Sequence, residues 1–292
     1  MSEPPQATMR WSVEQRLAFI ERRLFWDSQI NRADLIHQFS ISVPQASVDL
    51  AHYDRIAPGN MEYSPHLKTY IATAGFKPHF ELTARQYLTQ LLLLADDVVG
   101  PEESWLGWRP PTGIFPRIRR KLEANVLRQI LIAIRSRHTV QVTYQSMSAE
   151  VPSPRWISPH ALGFDGHRWH VRAWCERRGK FLDFVFARIL EIGDSRPSDI
   201  DPAKDSAWHQ FARVRLGPNP QLSAAQQRII ELDYGMQNGC IEVELRLCHV
   251  YYFARQFLLD VAESLRPERV QIVLLNREKL NESLRLAGEE TI

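Results

Sequence analysis

Residues 165–181 read DGHRWHVRAWCERRGKF, and inside that stretch residue type alternates. Trp169, Val171, Ala173 and Cys175 fall on one parity; Arg168, His170, Arg172 and Trp174 fall on the other. Alternation of period two is the pattern of a β-strand with one apolar and one polar face. A solvated face ordinarily mixes signs, because like charges along it repel. Here the polar face carries Arg, His and Arg with no carboxylate among the three. A turn over Glu176–Lys180 that sets Cys175 opposite Phe181 also sets Arg168 opposite Arg188 and Arg172 opposite Phe184. Like charges directly opposed destabilise a sheet. This register therefore predicts an anion held between Arg168 and Arg188.

Other donors can join that face: Tyr144 and Ser146 on an earlier strand, Arg155, and His160 after Pro159. Hydroxyls and guanidinium forks suit a phosphate or carboxylate, and Trp174 can stack a base. The candidate ligand set is thus Tyr144, Ser146, Arg155, His160, Arg168, His170, Arg172 and Arg188. The competing reading is that the arginines line an exposed face with their heads in water. His160, His170, Tyr144 and Asp183 are also the right types for general acid–base work. Yet the chain has no nucleophile motif, glycine-rich phosphate loop, HxxxH or paired-carboxylate spacing. Neither an enzyme nor a cofactor is expected; the alternative from another class is a nuclease or nucleotide-processing enzyme built on the central domain.

Charge distribution favours the anion reading. The net +2 of the 292 residues conceals a segment, 114–190, with 14 Lys/Arg against 5 Asp/Glu, while residues 191–292 hold 12 against 16. A basic middle third points to an anionic partner. No apolar run approaches the roughly 18–20 residues of a membrane span, and MSEPPQATMRW is not a signal peptide. Three cysteines, Cys175, Cys240 and Cys248, with no CxxC, argue against a disulfide framework and a metal site. The expected location is the cytoplasm.

Toward the N-terminus, the first 11 residues look like a disordered leader. Ser12-Val-Glu-Gln15 has the form of a capping box for a first helix ending near Trp26. Asn31 can cap a second helix through Phe39, with Leu35, Ile36 and Phe39 inward. Ser42 opens a third, with Pro44 in its first turn, running to about Tyr53. Pro58-Gly59-Asn60 is a turn, and Met61–Tyr63 with Tyr70–Ala72 reads as a hairpin. Helix, helix, turn, helix, hairpin is the order of a winged helix-turn-helix.

The third helix, within ISVPQASVDLAHY (41–53), carries the first functional reading. At about 100° per residue, Val43, Ala46, Leu50 and Tyr53 share one side, and Pro44, Gln45, Val48, Asp49 and His52 the other. An uncharged, small-residue N-terminal turn suits a helix entering the major groove. Gln45 can bond adenine and Val48 can touch a thymine methyl. Ser42, Ser47 and the wing residues Tyr63, His66, Lys68 and Tyr70 can hold phosphates. Alternatively, Gln45 completes the capping box from Ser42. Residues 1–80 balance 8 Lys/Arg with 8 Asp/Glu, so tight binding to double-stranded DNA implies a dimer.

Downstream, 81–97 reads as an amphipathic helix, 98–116 as a Pro/Gly-rich linker, and 117–136 as a helix with Ile118, Leu122, Val126, Ile130 and Ile134 in one stripe. Strands are predicted at 139–146, 155–162, 167–175 and 181–190, and a second linker at 194–206. GPNPQLS is a turn-rich opening to a last part with a strand at 240–248, a helix near 250–264 and a strand at 269–275.

Together these pieces resemble the WYL-domain transcriptional regulators, most closely the group that accompanies phage-defence islands, called BrxR or CapW. The resemblance rests on ISVPQASVDLAHY with APGNMEYSPHLKTYIAT, then Tyr144-Gln-Ser146, SPHALGFDGHRWHVRAWC and FVFARI, in that order. The eponymous triplet departs, reading Trp169-His170-Val171. The resemblance implies an α+β multidomain chain: a winged helix (1–80), a helical linker (81–116), a central Sm-like β-barrel with a leading helix (117–195), and an α/β extension (207–292) that helps dimerise. It implies a homodimeric repressor, or alternatively an activator, acting on an inverted repeat, with the barrel sensing a nucleotide or oligonucleotide.

Overall fold

A computed structural model describes residues 11–115, 118, 120–261 and 265–292. The expected leader, Trp11 apart, lies outside the described residues, as do positions 117 and 119 of the 117–136 helix and 262–264 of the 250–264 helix. The chain forms two compact units, residues 1–117 and 118–292.

The first unit runs α1 (Trp11–Asp27), β1 (Gln29–Ile30), α2 (Arg32–Phe39), α3 (Val43–Ile56), β2 (Met61–Ser64), β3 (Thr69–Ala72) and α4 (Ala84–Ala95). Asn31 and Asp34 close a reciprocal capping box on α2, and Ser42 caps α3 with Pro44 in its first turn. Since α1 already includes Trp11, Ser12 lies inside the helix rather than capping it. The sheet has the order β1-β3-β2; β1, two residues long, is too short for periodicity to reveal. Leu17, Ile20, Leu24, Leu35, Ala46, Leu50 and Tyr53 form the core. Buried among them, Glu21 accepts from the Tyr53 hydroxyl at 2.9 Å and from the backbone N–H groups of His79 and Phe80. Such bonds make a buried carboxylate tolerable. Burial, reinforced by Glu21, pushes the Tyr53 hydroxyl above its usual range.

The second unit begins with α5 (Ala124–Ser136), then β4 (His138–Tyr144), β5 (Ser153–Phe164), β6 (Trp169–Cys175), β7 (Lys180–Val185) and β8 (Ile189–Pro197). Val126 and Ile130 of the expected stripe are buried and Ile134 packs against the same core; Ile118 is exposed and precedes the helix. The five strands form an antiparallel sheet of order β7-β6-β5-β4-β8. Its outer strands, β7 and β8, do not pair with each other, so the expected barrel is not closed. The strand predicted over 181–190 is two strands separated by a single 3-10 turn, Phe186–Arg188. Its buried Phe186 continues the apolar run, leaving no Gly or Pro to mark the break. The segment taken as a linker from 194 is still strand to Pro197.

A short α6 (Ser206–His209) leads into β9 (Phe211–Pro218), α7 (Ala224–Asp233), β10 (Ile241–Arg246), α8 (Leu247–Gln256), β11 (Ile272–Leu274) and α9 (Arg277–Leu286). The sheet order is β10-β9-β11, so the centre of this sheet is a strand missed in the sequence, whose last two residues were read as a turn. Its alternation is clear in retrospect: Ala212, Val214 and Leu216 are buried, Phe211, Arg213 and Arg215 exposed. Ser223 and Gln226 close a capping box on α7, an equally readable signal.

Candidate functional site

The first candidate surface is the N-terminal half of α3 with the β2–β3 wing. The core takes Ala46, Leu50 and Tyr53, which leaves Ser42, Pro44 and Val48 exposed. Two expected positions exchange places. Val43, assigned inward, is 54% exposed, because it is the first residue of the helix and lies beyond the packed turn. Asp49, assigned outward, is buried under Arg16 of α1, which binds it at 2.6 and 3.2 Å.

Asp49 also accepts from Gln45 Nε2 at 2.9 Å. A carboxylate only accepts, so the amide nitrogen must face it. Gln45 therefore does not complete the capping box with its side chain; only its backbone N–H bonds Ser42 Oγ, at 3.3 Å. Ser47 turns its hydroxyl back to the Val43 carbonyl, and His52 is half-buried. On the wing, Tyr63 packs edge-on against Tyr70 at 5.2 Å. His66 and Lys68 are exposed at the tip, with Lys68 in the left-handed region at φ 53°.

The second candidate surface is the polar face of β6. Its register with β7 is one residue from the expected one: Cys175 pairs with Lys180, Trp174 with Phe181, and Arg172 with Asp183. The turn is four residues, Glu176 to Gly179, and Gly179 at φ +61° closes it by donating to the Cys175 carbonyl. A one-residue slip exchanges the partners along the whole strand, and it places a carboxylate opposite Arg172. Arg168 lies in the turn before β6 and Arg188 in the 3-10 turn after β7, so the two arginines are not opposed.

The cationic face is also neither exposed nor uncompensated. Arg172 is 2% exposed and binds Asp205 through Nε and Nη2 at 2.7 and 2.9 Å, Glu289 at 2.7 Å, and Asp183 at 3.4 Å. Burial works against its charge, but these carboxylates outweigh burial and hold its pKa above the ordinary value. A β-bulge between Pro159 and Ala161 re-aims His160, which meets the same Asp205 at 2.9 Å. Although burial opposes it, bonds from Arg172 and His160 hold the Asp205 carboxyl well below the usual carboxylate range. Asp165 binds Arg168 Nε at 2.8 Å and His170 Nε2 at 2.9 Å. It also accepts the backbone N–H groups of His167 and Arg168. Against the cost of burial, these four bonds lower its pKa to about 2.

The expected ligand residues therefore separate into two groups. His160, Arg168, His170 and Arg172 gather where β5 and β6 meet the C-terminal part of the unit. There the Tyr252 hydroxyl bonds Asp183, and Gly163 leaves room for His249, which a Cβ would approach to 2.7 Å. Tyr144, Ser146, Arg155 and Arg188 lie toward the β4–β8 side. Tyr144 accepts from the Val185 N–H, Arg155 sits 5.7 Å over its ring, and the Arg188 carbonyl accepts from Gln145. Neither Arg155 nor Arg188 forms an ion pair among the described residues, and Arg155 Nε is buried without a hydrogen-bond partner there. Sequence reasoning missed Asp165, Asp205 and Glu289. Asp165 was in the quoted stretch; the other two lie 33 and 117 residues from Arg172, and no local pattern announces them. Among the described residues no His/Cys/Asp/Glu group can hold a metal, and no helix is long and apolar enough to cross a membrane.

Helices α1 to α3 with a β-hairpin wing, then α4, an antiparallel sheet and a second small α/β sheet, form a distinctive order. Family models match each part: the BrxR transcriptional regulator winged helix-turn-helix domain over residues 12–93, the WYL domain over 125–193, and the BrxR transcriptional regulator C-terminal dimerization domain over 211–280. The chain is 42% identical over 276 residues to the DNA-binding transcriptional repressor CapW of Escherichia coli (strain KTE188), covering 93% of this chain and 91% of the relative. This chain belongs to the BrxR/CapW family. A CapW of Stenotrophomonas maltophilia is 40% identical, covering 98% of this chain and 96% of the relative; one of Pseudomonas aeruginosa is 41% identical, covering 94% and 92%. Among solved structures, the proteasome accessory factor B/C (PafBC) of Arthrobacter aurescens aligns with 94% of this chain and 46% of its own, at 16% identity and a TM-score of 0.29. An overlay at that level adds nothing to the family assignment. Within the BrxR/CapW family, then, this member keeps its β6 charges paired internally and leaves the α3 face open.

Proposed function

We propose that this chain is a homodimeric DNA-binding transcriptional repressor that acts in the cytoplasm on an inverted repeat upstream of a phage-defence operon, its own gene included. The observation that carries the reading is the face of α3 that the core leaves uncovered: Ser42, Pro44 and Val48 exposed, Gln45 oriented by Asp49, with Tyr63, His66 and Lys68 on the adjacent wing. Small and apolar groups at a helix N-terminus can approach base edges, Val48 serving a thymine methyl and the Gln45 amide a base edge. Ser42, Ser47, His52, Tyr70, His66 and Lys68 would set position on the backbone. The names of the CapW relatives and the dimerization-domain match at 211–280 support both halves of the proposal.

The central sheet would sense a nucleotide-like anion. Support comes from Arg155, 5.7 Å over the Tyr144 ring, and Arg188, whose carbonyl accepts from Gln145 next to Ser146, cations without a carboxylate partner among the described residues. Ligand binding can shift DNA affinity only through differential affinity for two states. Genomic footprinting with and without added nucleotides tests the reading. A protected inverted repeat upstream of the protein's own gene is expected; no protected site anywhere would overturn it.

A further inference from the structure

We infer that Glu289 is a built-in competitor for an anion pocket, so that a phosphate-bearing ligand binds at Arg172 by displacing the chain's own carboxylate. The inference rests on the reading that the central sheet senses an anion, and it adds a phosphate contact at Arg172, apart from Arg155 and Arg188, together with its regulation.

The pocket lies between β6, β7 and the turn after α9, with a volume of about 190 Å³, and is lined by Arg172, Trp174, Lys180, Phe181, Lys204 and Glu289 among others. Its wall is aromatic, Trp174 and Phe181 packing edge-to-face at 5.2 Å. Two exposed lysines, Lys180 and Lys204, border it with no ion pair among the described residues. An aromatic wall with a ring of cations is the chemistry that takes a phosphorylated base. Two carboxylates that line the pocket meet Arg172: Glu289, 22% exposed, and Asp205, 2% exposed, which also holds the Trp208 N–H at the start of α6. Asp205 is therefore a fixture of the fold and Glu289 the replaceable partner.

The backbone places Glu289 without depending on its side chain. Gly288, at φ +72°, ends α9 in a Schellman turn: its N–H bonds the Arg285 carbonyl at 3.1 Å, and the Glu289 N–H bonds the Leu284 carbonyl at 2.9 Å. The Glu289 carboxylate can swing away while that turn stays closed. Size agrees with displacement, since sites for drug-sized ligands run roughly 300–1,000 Å³. With Glu289 in place the cavity, at about 190 Å³, lies below that range. Because Glu289 ties β6 to the end of α9, exchanging it for a ligand phosphate removes one link between the sheet and the C-terminal helix. Ligand binding then acts on the C-terminal part directly.

Isothermal titration of the full chain with 5′-AMP, a 5′-phosphorylated tetranucleotide and the same tetranucleotide without phosphate tests this, using wild type, Glu289→Gln, Glu289→Ala and Lys204→Ala. Removing a competing occupant raises the competent fraction, so both Glu289 variants should bind phosphorylated probes about tenfold more tightly than wild type. Lys204→Ala should bind them more weakly, and the unphosphorylated probe should not bind. Preference for 5′-AMP or for the oligonucleotide distinguishes a free nucleotide from a strand end as the source of the phosphate. Equal affinity in wild type and both Glu289 variants would overturn the competitor while leaving anion sensing intact. No phosphorylated probe binding to any form would overturn both.

Discussion

Two surfaces of this molecule were each read from sequence as open to an outside ligand, and they differ in their partners. The face of α3 is short of charge, and after folding Ser42, Pro44 and Val48 remain exposed. The face of β6 is rich in charge, yet Arg172 and His170 are buried and paired with carboxylates. A cation run in one segment shows that a counter-charge is needed, not that it comes from outside. Here residues 191–292, with 16 Asp/Glu against 12 Lys/Arg, supply part of it to the basic middle.

The largest effect that can break this contrast is on stability. Replacing Arg172 by Met leaves Asp205, Asp183 and Glu289 facing a buried apolar group, and removing one partner of a buried ion network costs about 3–5 kcal/mol. Urea unfolding should show this as a lower midpoint at unchanged slope. A shift under about 0.5 kcal/mol, the range of surface changes, would mean the network is dispensable. Arg188→Gln, by contrast, should stay within that surface range, because Arg188 opposes no arginine and pairs with no carboxylate among the described residues.

The winged helix supplies effects of intermediate size. Gln45→Ala should relax preference at one base position by about 1–3 kcal/mol, read from selection on a randomised half-site. Half-sites should lie about 10 base pairs, or a multiple, apart. A monomer that binds one half-site at nanomolar affinity would contradict the dimer. Lys68→Ala should weaken all sequences alike and reduce the salt slope by about one.

Acid provides a smaller test on the β6 side. The Asp165 pKa is lowered to about 2 in the folded chain, against about 3.9 unfolded. Its contribution to stability is thus fully present above pH 4 and is lost as pH falls through 2. In Asp165→Asn the difference in urea midpoint between pH 5 and pH 2 should be smaller than in wild type. An unchanged difference would mean that Arg168 and His170 do not depend on this carboxylate.

The contrast also explains what was legible in the sequence. Caps and periodicity act within a few residues, so Asn31, Ser42 and the 61–72 hairpin marked α2, α3 and the wing to within a few residues. The register of β6 on β7 depended on one turn, and Gly179 closing it one residue early moved Asp183 opposite Arg172. Tertiary partners carried no local mark. Glu289 reaches Arg172 because Gly288 ends α9 in a left-handed turn, and Asp49 is buried because Arg16 of α1 crosses it. Val43 fell on the apolar side by angle but beyond the last packed turn. The strand β9 was different: its alternation was present and simply overshadowed by the prolines that follow.

The most direct test of the contrast crosses the two surfaces in one experiment. Stability and half-site base preference are measured together for wild type, Arg172→Met and Gln45→Ala, at a temperature where all three are folded. Arg172→Met is expected to lose about 3–5 kcal/mol of stability and keep the wild-type base preference. Gln45→Ala is expected to lose no more than the roughly 1.5–3 kcal/mol of one hydrogen bond to a charged group, since Arg16 still holds Asp49, and to lose preference at one position. The contrary result is the exchange of these roles: an altered base preference in folded Arg172→Met, or a destabilised Gln45→Ala that still selects the wild-type half-site.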